Sequence, residues 1–278
     1  MASVYEREFE FKRKDFEFIR DLVGDRTGIV LSDHKVDMVY GRLSRRLRQL
    51  GMTRFSEYLT MLSNDEQELV EFTNALTTNL TSFFREPHHF EFLKGTAIPT
   101  LLKNRPNKKL RIWSAGCSTG EEPYTIAMTI KEATATYPNT DIKVLATDLD
   151  SNVVARAKAG VYQQEKVNGV DQKRQKKFFR KGRGDTQNGQ MKVSPELQEM
   201  ITFKQLNLMH DWPMQGPLDI IFCRNVVIYF NKETQRELFA RYADILSDDG
   251  YLFVGHSESL HKVSDRFNLI GKTIYHKR

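Results

Sequence analysis

Apolar residues recur three or four positions apart over much of the first third of the chain, as they do on one face of a helix. Phe16, Ile19 and Val23 form one such series, and Gly28 and Gly51 follow the last apolar residues of two predicted helices. The period-two alternation of a half-buried strand is absent from this part of the sequence. The pattern predicts a small all-α N-terminal domain over residues 1–90. Its helices are predicted at about 16–27, 33–50, 55–62 and 65–76.

From Lys109 the pattern changes to short apolar runs that alternate with amphipathic helices. This alternation predicts parallel strands joined by right-handed crossovers, and hence a doubly wound, Rossmann-like α/β sheet over residues 109–278. Two apolar stretches around Gly271 predict a closing hairpin at about 267–276. The strands are predicted at 110–114, 142–146, 218–222 and 251–254, and the helices at 123–136, 151–159 and 232–246.

Two segments do not follow either pattern. Residues 162–202 are polar and basic and contain a glycine-rich run from Gly182 to Gly189, which predicts a small β-subdomain inserted in the sheet, with a disordered loop as the alternative. Residues 79–108 link the two domains, and their first part mixes polar side chains with the pair Phe83-Phe84. Because sites are often found where domains meet, we expect this linker to wall the active site.

Composition limits the class of protein. The 40% hydrophobic and 28% charged content is typical of a globular chain. No apolar run approaches the roughly 18 residues that span a bilayer, and the N-terminus lacks the apolar core of a secretory signal. We therefore expect a cytoplasmic protein, in which Cys117 and Cys223 are half-buried thiols. The net charge of +6 is compatible with nucleic acid, an anionic membrane face or an acidic protein partner.

The turn after the first predicted strand, at residues 115–122, is a candidate cofactor site. Gly116 and Gly120 allow close approach of a ligand, and the next helix directs its first amides to the same place. The turn has neither the Gly-x-Gly-x-x-Gly spacing of a dinucleotide site nor the lysine of a phosphate-binding loop. Glu121 and Glu122 favour a cationic ligand and disfavour a pyrophosphate. An ordinary β–α turn remains the alternative.

Polar residues also follow two other predicted strands, whose carboxyl ends face the same crevice in an open parallel sheet. Asp148 is placed to accept hydrogen bonds from ribose hydroxyls, although an aspartate is equally common there as a helix cap. Arg224, Asn225 and Tyr229 interrupt an otherwise apolar run after the third strand. Tyr229 has a second interpretation, as a core residue with its hydroxyl at the rim.

Five motifs extend this picture over about residues 15–276. They read GIVLSDHK at 28–35, NALTTNLTSFFR at 74–85, STGEEPY at 118–124, IFCRNVVIYF at 221–230 and GHSE at 255–258. In this order they closely resemble the CheR chemotaxis receptor methyltransferases. The resemblance implies a helical N-terminal domain, a methyltransferase domain with a β-subdomain, and S-adenosyl-L-methionine as the cofactor. The implied reaction is methyl esterification of receptor glutamate side chains.

The same resemblance assigns residues to the cofactor. Asn79, Thr81 and Arg85 would contact it from the linker, and Asp148 would lie at its ribose. The full implied set is Asn79, Thr81, Arg85, Glu122, Asp148, Asn207, Leu208, Arg224 and Asn225.

This chemistry needs no general base, because the sulfonium activates the methyl carbon and a glutamate is already ionised at pH 7. The site must aim and desolvate the carboxylate, and Arg85 and Tyr229 are the candidate catalytic residues for that task. No metal is expected. The pair His88-His89 has no third ligand nearby in the sequence, and is interpreted as a packing or polar linker pair.

A basic helix at about 33–50 is the candidate receptor-binding element. Its positive residues lie opposite its apolar stripe, and a solvated helix face is the plain alternative. Under the CheR resemblance, they would contact the acidic helical bundle of a chemoreceptor and recruit the enzyme to membrane receptor arrays. The sequence leaves open whether residues 182–189 also bind a C-terminal receptor peptide, and it weakly favours a monomer. The basic residues are Lys35, Arg42, Arg45, Arg46 and Arg48.

Two other functions fit the sequence less well. A nucleic-acid methyltransferase usually carries an Asp/Asn-Pro-Pro-aromatic motif, whereas RNVV stands at 224–227 here and no aromatic stacking platform accompanies the basic helix. A catalytically silent, cofactor-sensing receptor-binding module is disfavoured because Arg85, Glu122, Asp148 and Tyr229 are all present.

Overall fold

A computed structural model describes residues 7–182 and 188–278. The chain divides into two compact units, Met1–Thr78 and Asn79–Arg278, called here the helical unit and the sheet unit. The segment from residue 79 to residue 104, which the sequence assigned to the linker and in part to the helical domain, belongs to the sheet unit. It contains two helices that the sequence pattern did not predict, α5 (Pro87–Phe92) and α6 (Ile98–Asn104).

The described part of the helical unit, from residue 7 onward, packs four helices around one apolar core. Phe16, Leu43 and Tyr58 are fully buried in it. Gly28 and Gly51 adopt left-handed backbone conformations and end the first two helices, as the sequence predicted. Asp65 caps the fourth helix by accepting hydrogen bonds from two of its first amides. The helices are α1 (Arg13–Thr27), α2 (Val36–Leu50), α3 (Phe55–Leu62) and α4 (Glu66–Leu76).

In the residues that the structure describes, the sheet unit contains ten strands and the remaining helices. The strands are β1 (Lys109–Ala115), β2 (Asp141–Asp148), β3 (Val161–Gln163), β4 (Phe179–Lys181), β5 (Gln190–Val193), β6 (Ile201–Gln205), β7 (Leu218–Cys223), β8 (Leu246–Val254), β9 (Phe267–Gly271) and β10 (Ile274–Lys277). The helices are α7 (Glu121–Ala133), α8 (Ser151–Ala159), α9 (Gln164–Val167), α10 (Gln172–Phe178), α11 (Pro195–Gln198) and α12 (Lys232–Ile245).

Seven strands form the main sheet in the order β6-β2-β1-β7-β8-β10-β9. The first five are parallel, and the β9–β10 hairpin adds the antiparallel edge. The winding reverses between β1 and β7, so the predicted doubly wound sheet is confirmed. The sequence pattern missed β6 because this edge strand has only one buried residue, Ile201, and therefore carries no apolar run.

A second, three-stranded antiparallel sheet in the order β3-β5-β4 confirms the predicted β-subdomain inserted after α8. Three short helices, α9, α10 and α11, accompany its strands. Residues 183–187, most of the glycine-rich run at which the sequence leaves a receptor-peptide contact open, lie outside the described residues.

Both faces of the main sheet are covered by apolar side chains. Ile112 and Phe222 belong to the cluster on one face, and Trp113 and Tyr242 belong to the cluster on the other.

Cys117 and Cys223 are fully buried, so the expectation of half-buried thiols was wrong. No helix among the described residues is both long enough and apolar enough to cross a membrane.

Candidate functional site

The carboxyl ends of β1, β2 and β7 lie side by side where the winding of the sheet reverses. β1 pairs with β2 over its whole length and with β7 on its other side. Ligands of open α/β sheets bind in the crevice at such a point. The structure therefore brings the three predicted strand-end motifs, at residues 115–122, 147–148 and 223–230, to one edge of the sheet.

The glycines of the turn after β1 are required by the protein itself. Gly116 and Gly120 have φ values of 99° and 97°, in the region that favours glycine. A Cβ on Gly116 would lie 2.3 Å from Val226 Cγ2, and one on Gly120 would lie 2.8 Å from the hydroxyl of Tyr162. Because these neighbours are protein atoms, the glycines alone do not identify a ligand. They do show that the loop after β7 and the β-subdomain both pack against this turn.

Asp148 joins the end of β2 to the glycine turn. Its carboxylate accepts hydrogen bonds from the amides of Ser118, at 2.8 Å, and Asp150, at 3.0 Å. Ser118 Oγ donates to the carbonyl of Asn79 at 2.9 Å, and Asn79 Nδ2 donates to Asp150 Oδ2 at 2.8 Å. Burial raises the pKa of Asp148 to about 6, against the bonds from these amides. The start of the sheet unit, the turn and β2 are thus held together by one polar network.

Glu122 and Arg224 form a buried ion pair beside this network. Glu122 Oε1 accepts from Ser114 Oγ at 2.8 Å, and Oε2 accepts from Arg224 Nη1 at 3.0 Å. Burial raises the pKa of Glu122, although Arg224 and Ser114 both pull it down. Arg224 Nη2 donates to the carbonyl of Arg85 and lies 3.4 Å from Glu86 Oε2. The guanidinium of Arg224 is therefore bound by protein groups on three sides, and it ties residues 85–86 to α7 and β7.

The two candidate catalytic residues are less enclosed. Arg85 is half-buried, and its Nη1 donates to the carbonyl of Leu80 at 3.0 Å. Tyr229 is half-buried in the 3₁₀ turn Val227–Tyr229, and its hydroxyl makes no hydrogen bond to any residue in the described part of the chain. Thr81 is also half-buried. These side chains therefore retain hydrogen-bonding capacity for a ligand.

Asn207 and Leu208 follow β6 at the same edge of the sheet. The amide of the preceding residue, Leu206, donates to the carbonyl of Asp148 at 2.9 Å. Arg241 on α12 donates to the carbonyl of Leu208 at 2.6 Å, and its guanidinium lies 3.9 Å from the centroid of a Trp212 ring. The structure thus places this pair beside Asp148 and fixes it through α12.

Sequence reasoning assigned no role to four polar residues around this site: Glu86, Asp150, Arg241 and Glu258. Glu258 lies in the GHSE motif, which supported the resemblance without a function for its glutamate. Its burial and its bonds to the loop after β7 depend on the pairing of β7 with β8, which a single sequence does not show. The sequence feature that could have indicated a role for Glu258 is its position, four residues after the strand predicted at 251–254.

The histidine pair does have a third potential ligand. Glu86, His88 and His89 offer ligand atoms that all lie within 4.8 Å of one another. However, the Arg224 guanidinium next to Glu86 opposes a metal cation, and burial lowers the pKa of His89 to about 3. His89 Nε2 lies 3.1 Å from the carbonyl of Lys272, a contact that suits a neutral ring packed in the core. That no metal binds at these three residues therefore remains a prediction.

Within the helical unit, the basic residues of α2 fall into two groups. Arg42 donates to the carbonyls of Leu76 and Thr77, Arg46 pairs with the buried Glu68, and Arg48 pairs with Glu8. Lys35 and Arg45 are exposed, and Arg45 Nε donates only weakly, to the carbonyl of Gly41 at 3.3 Å. The face predicted to bind a receptor is thus partly committed to intramolecular bonds.

The donor set at the strand ends fits S-adenosyl-L-methionine better than a phosphate ligand. Carboxylates surround the glycine turn, and two of them, Glu121 and Glu122, lie in the first turn of α7. Such a turn suits a ligand that carries a sulfonium and an ammonium group. Arg85 supplies a cationic donor that suits an anionic second substrate.

Comparison with known proteins agrees with this chemistry. The family described as "CheR methyltransferase, SAM binding domain" matches residues 79–276, and "CheR methyltransferase, all-alpha domain" matches residues 14–77. "Chemotaxis protein methyltransferase 2" of Pseudomonas aeruginosa is 44% identical over 97% of this chain and 95% of its own length. "Chemotaxis protein methyltransferase" of Escherichia coli is 44% identical over 94% of this chain and 89% of its own length. "Probable chemotaxis protein methyltransferase" of Rhizobium etli is 39% identical over 89% and 94%.

Proposed function

Since the chain belongs to the CheR methyltransferase family, we propose that it transfers the methyl group of S-adenosyl-L-methionine to glutamate side chains of chemoreceptors. The chain is an S-adenosyl-L-methionine-dependent methyltransferase of chemotaxis. What we propose beyond this is the methyl acceptor, a glutamate side chain of a chemoreceptor. This proposal is supported by Arg85 and Tyr229, which are both half-buried. Arg224 binds the carbonyl of Arg85, and Val226, three residues before Tyr229, lies against Gly116 of the glycine turn.

The proposed reaction forms a bond between a glutamate oxygen and the methyl carbon. When bound, the cofactor supplies a methyl group whose S–CH₃ bond breaks with its electron pair going to sulfur, leaving S-adenosyl-L-homocysteine. No proton moves, because the glutamate attacks as a carboxylate. The residues of the site have to orient that carboxylate and keep water away from it.

Arg85 and Tyr229 are the catalytic residues in this proposal. The guanidinium of Arg85 donates charge-assisted hydrogen bonds to the substrate carboxylate, and the hydroxyl of Tyr229 donates one more. Support comes from their partial exposure and from the hydrogen-bonding capacity that each retains. Arg224 differs from them, because its guanidinium is enclosed by Glu122, Glu86 and the carbonyl of Arg85.

Asp148 receives the ribose in this proposal, and the acidic turn faces the charged end of the cofactor. Asp148 is ionised above about pH 6, so at neutral pH it accepts hydrogen bonds from the ribose hydroxyls. Arg224 acts indirectly, by neutralising Glu122 and by fixing the backbone of Arg85. The proposed cofactor residues are Asn79, Thr81, Arg85, Glu122, Asp148, Asn207, Leu208 and Asn225, and Arg224 supports them without contacting the cofactor.

The proposed partner is the cytoplasmic helical bundle of a chemoreceptor, so we place the enzyme in the cytoplasm at membrane receptor arrays, as a monomer. Among Lys35, Arg42, Arg45, Arg46 and Arg48, the exposed Lys35 and Arg45 are the better candidates for direct receptor contact. Binding of a C-terminal receptor peptide to the β-subdomain is a further, separate possibility for the same partner. No nucleic acid and no metal take part in this proposal.

A transfer assay tests the proposal. The purified protein is incubated with methyl-labelled cofactor and membranes that contain chemoreceptors, and we expect base-labile label on the receptor. Arg85→Ala should lose most of this activity, by about a hundredfold or more if the carboxylate is misplaced. Arg236→Ala, an exposed arginine of α12, is the matched control and should retain it.

Other outcomes separate the competing functions. Label on nucleic acid instead of receptor would contradict the proposed substrate. Binding of S-adenosyl-L-homocysteine without any transfer would favour a silent cofactor-sensing module. Near-normal turnover by a folded Arg85→Ala variant would remove Arg85 from the proposed catalytic pair.

A further inference from the structure

One buried carboxylate gathers the backbone where two central strands end. β7 and β8 are paired up to Cys223 and Val254, and the chain then leaves the sheet in two adjacent loops. Glu258, in the loop after β8, reaches into the loop after β7. Its Oε2 accepts hydrogen bonds from the amides of Asn225, at 2.8 Å, and Gly255, at 2.5 Å.

The second oxygen of Glu258 holds the next part of the same loop. Oε1 accepts from the amide of Val226 at 2.9 Å and from that of Ile228 at 3.3 Å. Glu258 is only 4% exposed, so these four amides replace the water that a carboxylate otherwise needs. They include the amide of Val226, just before the 3₁₀ turn that carries Tyr229, and the amide of Ile228 within that turn.

The loop held in this way lies directly against the glycine turn. Asn225 has a φ of 59°, a left-handed conformation that a side chain other than glycine adopts at some cost. The next residue, Val226, covers Gly116 so closely that a Cβ there would lie 2.3 Å from Val226 Cγ2. On the other side, a Cβ on Gly255 would lie 2.6 Å from Asn225 Nδ2. A change in the Glu258 carboxylate is therefore transmitted to Asn225, Val226 and the turn.

We propose that Glu258 is a positioning residue of the methyl-transfer site, which sets Asn225 against the cofactor and Tyr229 against the substrate carboxylate. This rests on the proposed function, in which Asn225 and Tyr229 have those roles. Glu258 acts through backbone amides and contacts neither reactant.

The chemistry of the side chain makes the proposal specific. An ionised carboxylate is an acceptor at both oxygens, so it satisfies all four amides. Glutamine has nearly the same shape, but its amide nitrogen is a donor and would face two backbone N–H groups. Aspartate keeps the charge but is one methylene shorter, so it loses reach to part of the loop.

The test compares Glu258→Gln with Glu237→Gln, an exposed glutamate of α12 that serves as the matched control. Binding of S-adenosyl-L-homocysteine is measured by calorimetry, and receptor methylation is measured at saturating cofactor. For Glu258→Gln we expect roughly a tenfold or larger rise in the Kd, and a fall in kcat that added cofactor does not restore. The control should match the wild type in both.

A purely structural role gives a different result. A Glu258→Gln variant with a lower melting temperature but unchanged Kd and kcat would overturn the proposal. If that variant does not fold, Gly255→Ala keeps the Glu258 carboxylate but crowds both Asn225 Nδ2, at 2.6 Å from the new Cβ, and Glu258 Oε2, at 2.9 Å, and should raise the Kd. Wild-type Kd and kcat in folded Gly255→Ala would then overturn it.

The cofactor measurement keeps this proposal separate from the function proposed above. Calorimetry with S-adenosyl-L-homocysteine involves no methyl acceptor. If the wild type binds this ligand but methylates no receptor, the proposed substrate fails, and the Kd of Glu258→Gln still decides whether Glu258 positions the loop.

Discussion

Arg224 holds its guanidinium between the carboxylates of Glu122 and Glu86, and the whole residue is only 6% exposed. Moving charged groups out of water is costly, and here the ionic and hydrogen-bonded contacts to Glu122, Glu86 and the carbonyl of Arg85 offset that cost. Removal of one member leaves an uncompensated buried charge. At this scale the residue is a support of the site rather than a free contact for a ligand.

We therefore predict that Arg224→Ala destabilises the sheet unit by about 3–5 kcal/mol, because Glu122 is left without its cation. Urea unfolding followed by tryptophan fluorescence measures this, since Trp113 and Trp212, the two tryptophans of the chain, both lie in the sheet unit. Arg236→Ala should change the free energy of unfolding by less than about 0.5 kcal/mol. An Arg224→Ala variant as stable as the wild type would show that the buried pair contributes little.

At the scale of the element, α2 shows how one basic helix face can serve two purposes. Arg46 donates to both oxygens of Glu68, which is buried and also accepts from the hydroxyl of Tyr58 at 2.9 Å. Arg45, one position earlier, is exposed. Adjacent arginines on one helix thus have opposite roles, one structural and one available for a partner.

Charge reversal separates these roles. Arg45→Glu should weaken receptor methylation several-fold through lost electrostatic attraction, with an unchanged melting temperature and an unchanged Kd for S-adenosyl-L-homocysteine. Arg46→Glu should instead destabilise the helical unit by roughly 3 kcal/mol or more, because two carboxylates then share a buried position. The helical unit contains no tryptophan, so its unfolding is the part of the circular dichroism change that tryptophan fluorescence does not follow. Equal stability of both variants would contradict the assignment of Arg46.

The elements also show what the sequence makes predictable. The central strands were found because their residues are buried on both faces and form continuous apolar runs, as in Leu218–Cys223. The edge strand β6 was missed because it has no such run. Helix α2 was found from its periodicity, but the bond of Arg46 to Glu68, 22 positions along the chain, depends on helix packing that one sequence does not contain.

The same limit applies to the site. The strand-end residues were placed together correctly because the carboxyl ends of parallel strands share one edge of a sheet. Which of them remain available for a ligand was not predictable, since that depends on partners such as Glu86 and Glu258. Cofactor chemistry followed from motifs, whereas the bonding state of Arg224 followed only from the three-dimensional structure.

At the scale of the whole molecule, two buried groups respond to pH in opposite directions. The pKa of His89 falls from 6.5 to about 3, so between these values the unfolded chain binds a proton that the folded chain does not. Stability from His89 is therefore complete above 6.5 and is lost as the pH falls. The pKa of Asp148 rises from 3.8 to about 6, so its contribution is present at low pH and is lost as the pH rises through that window.

Two variants should separate the pH dependence of stability due to His89 from that due to Asp148. In His89→Gln the amide still donates to the carbonyl of Lys272, so the stability of wild type relative to this variant should rise with pH up to about 6.5, by at most about 1.4 kcal/mol per pH unit. Relative to Asp148→Asn, it should instead fall between about pH 4 and pH 6. The titratable and charged side chains that face His89 are Glu86, His88 and Arg224. The pKa of Glu86 is lowered in the folded chain, so the stability that Glu86 contributes also rises with pH, as that of His89 does.

Tryptophan fluorescence in urea at a series of pH values measures both differences in the sheet unit, and groups far from the mutated residue cancel in each subtraction. If the difference in free energy of unfolding between wild type and variant does not change with pH, the mutated group has the same pKa in the folded and unfolded chain. Its side chain would then be hydrated in the folded protein in solution. A change of the wrong sign for Asp148 would mean that the amides of Ser118 and Asp150 outweigh its desolvation, and that the carboxylate is ionised well below pH 6. In that case the proposed hydrogen bonds to the ribose hydroxyls would extend to more acidic solutions.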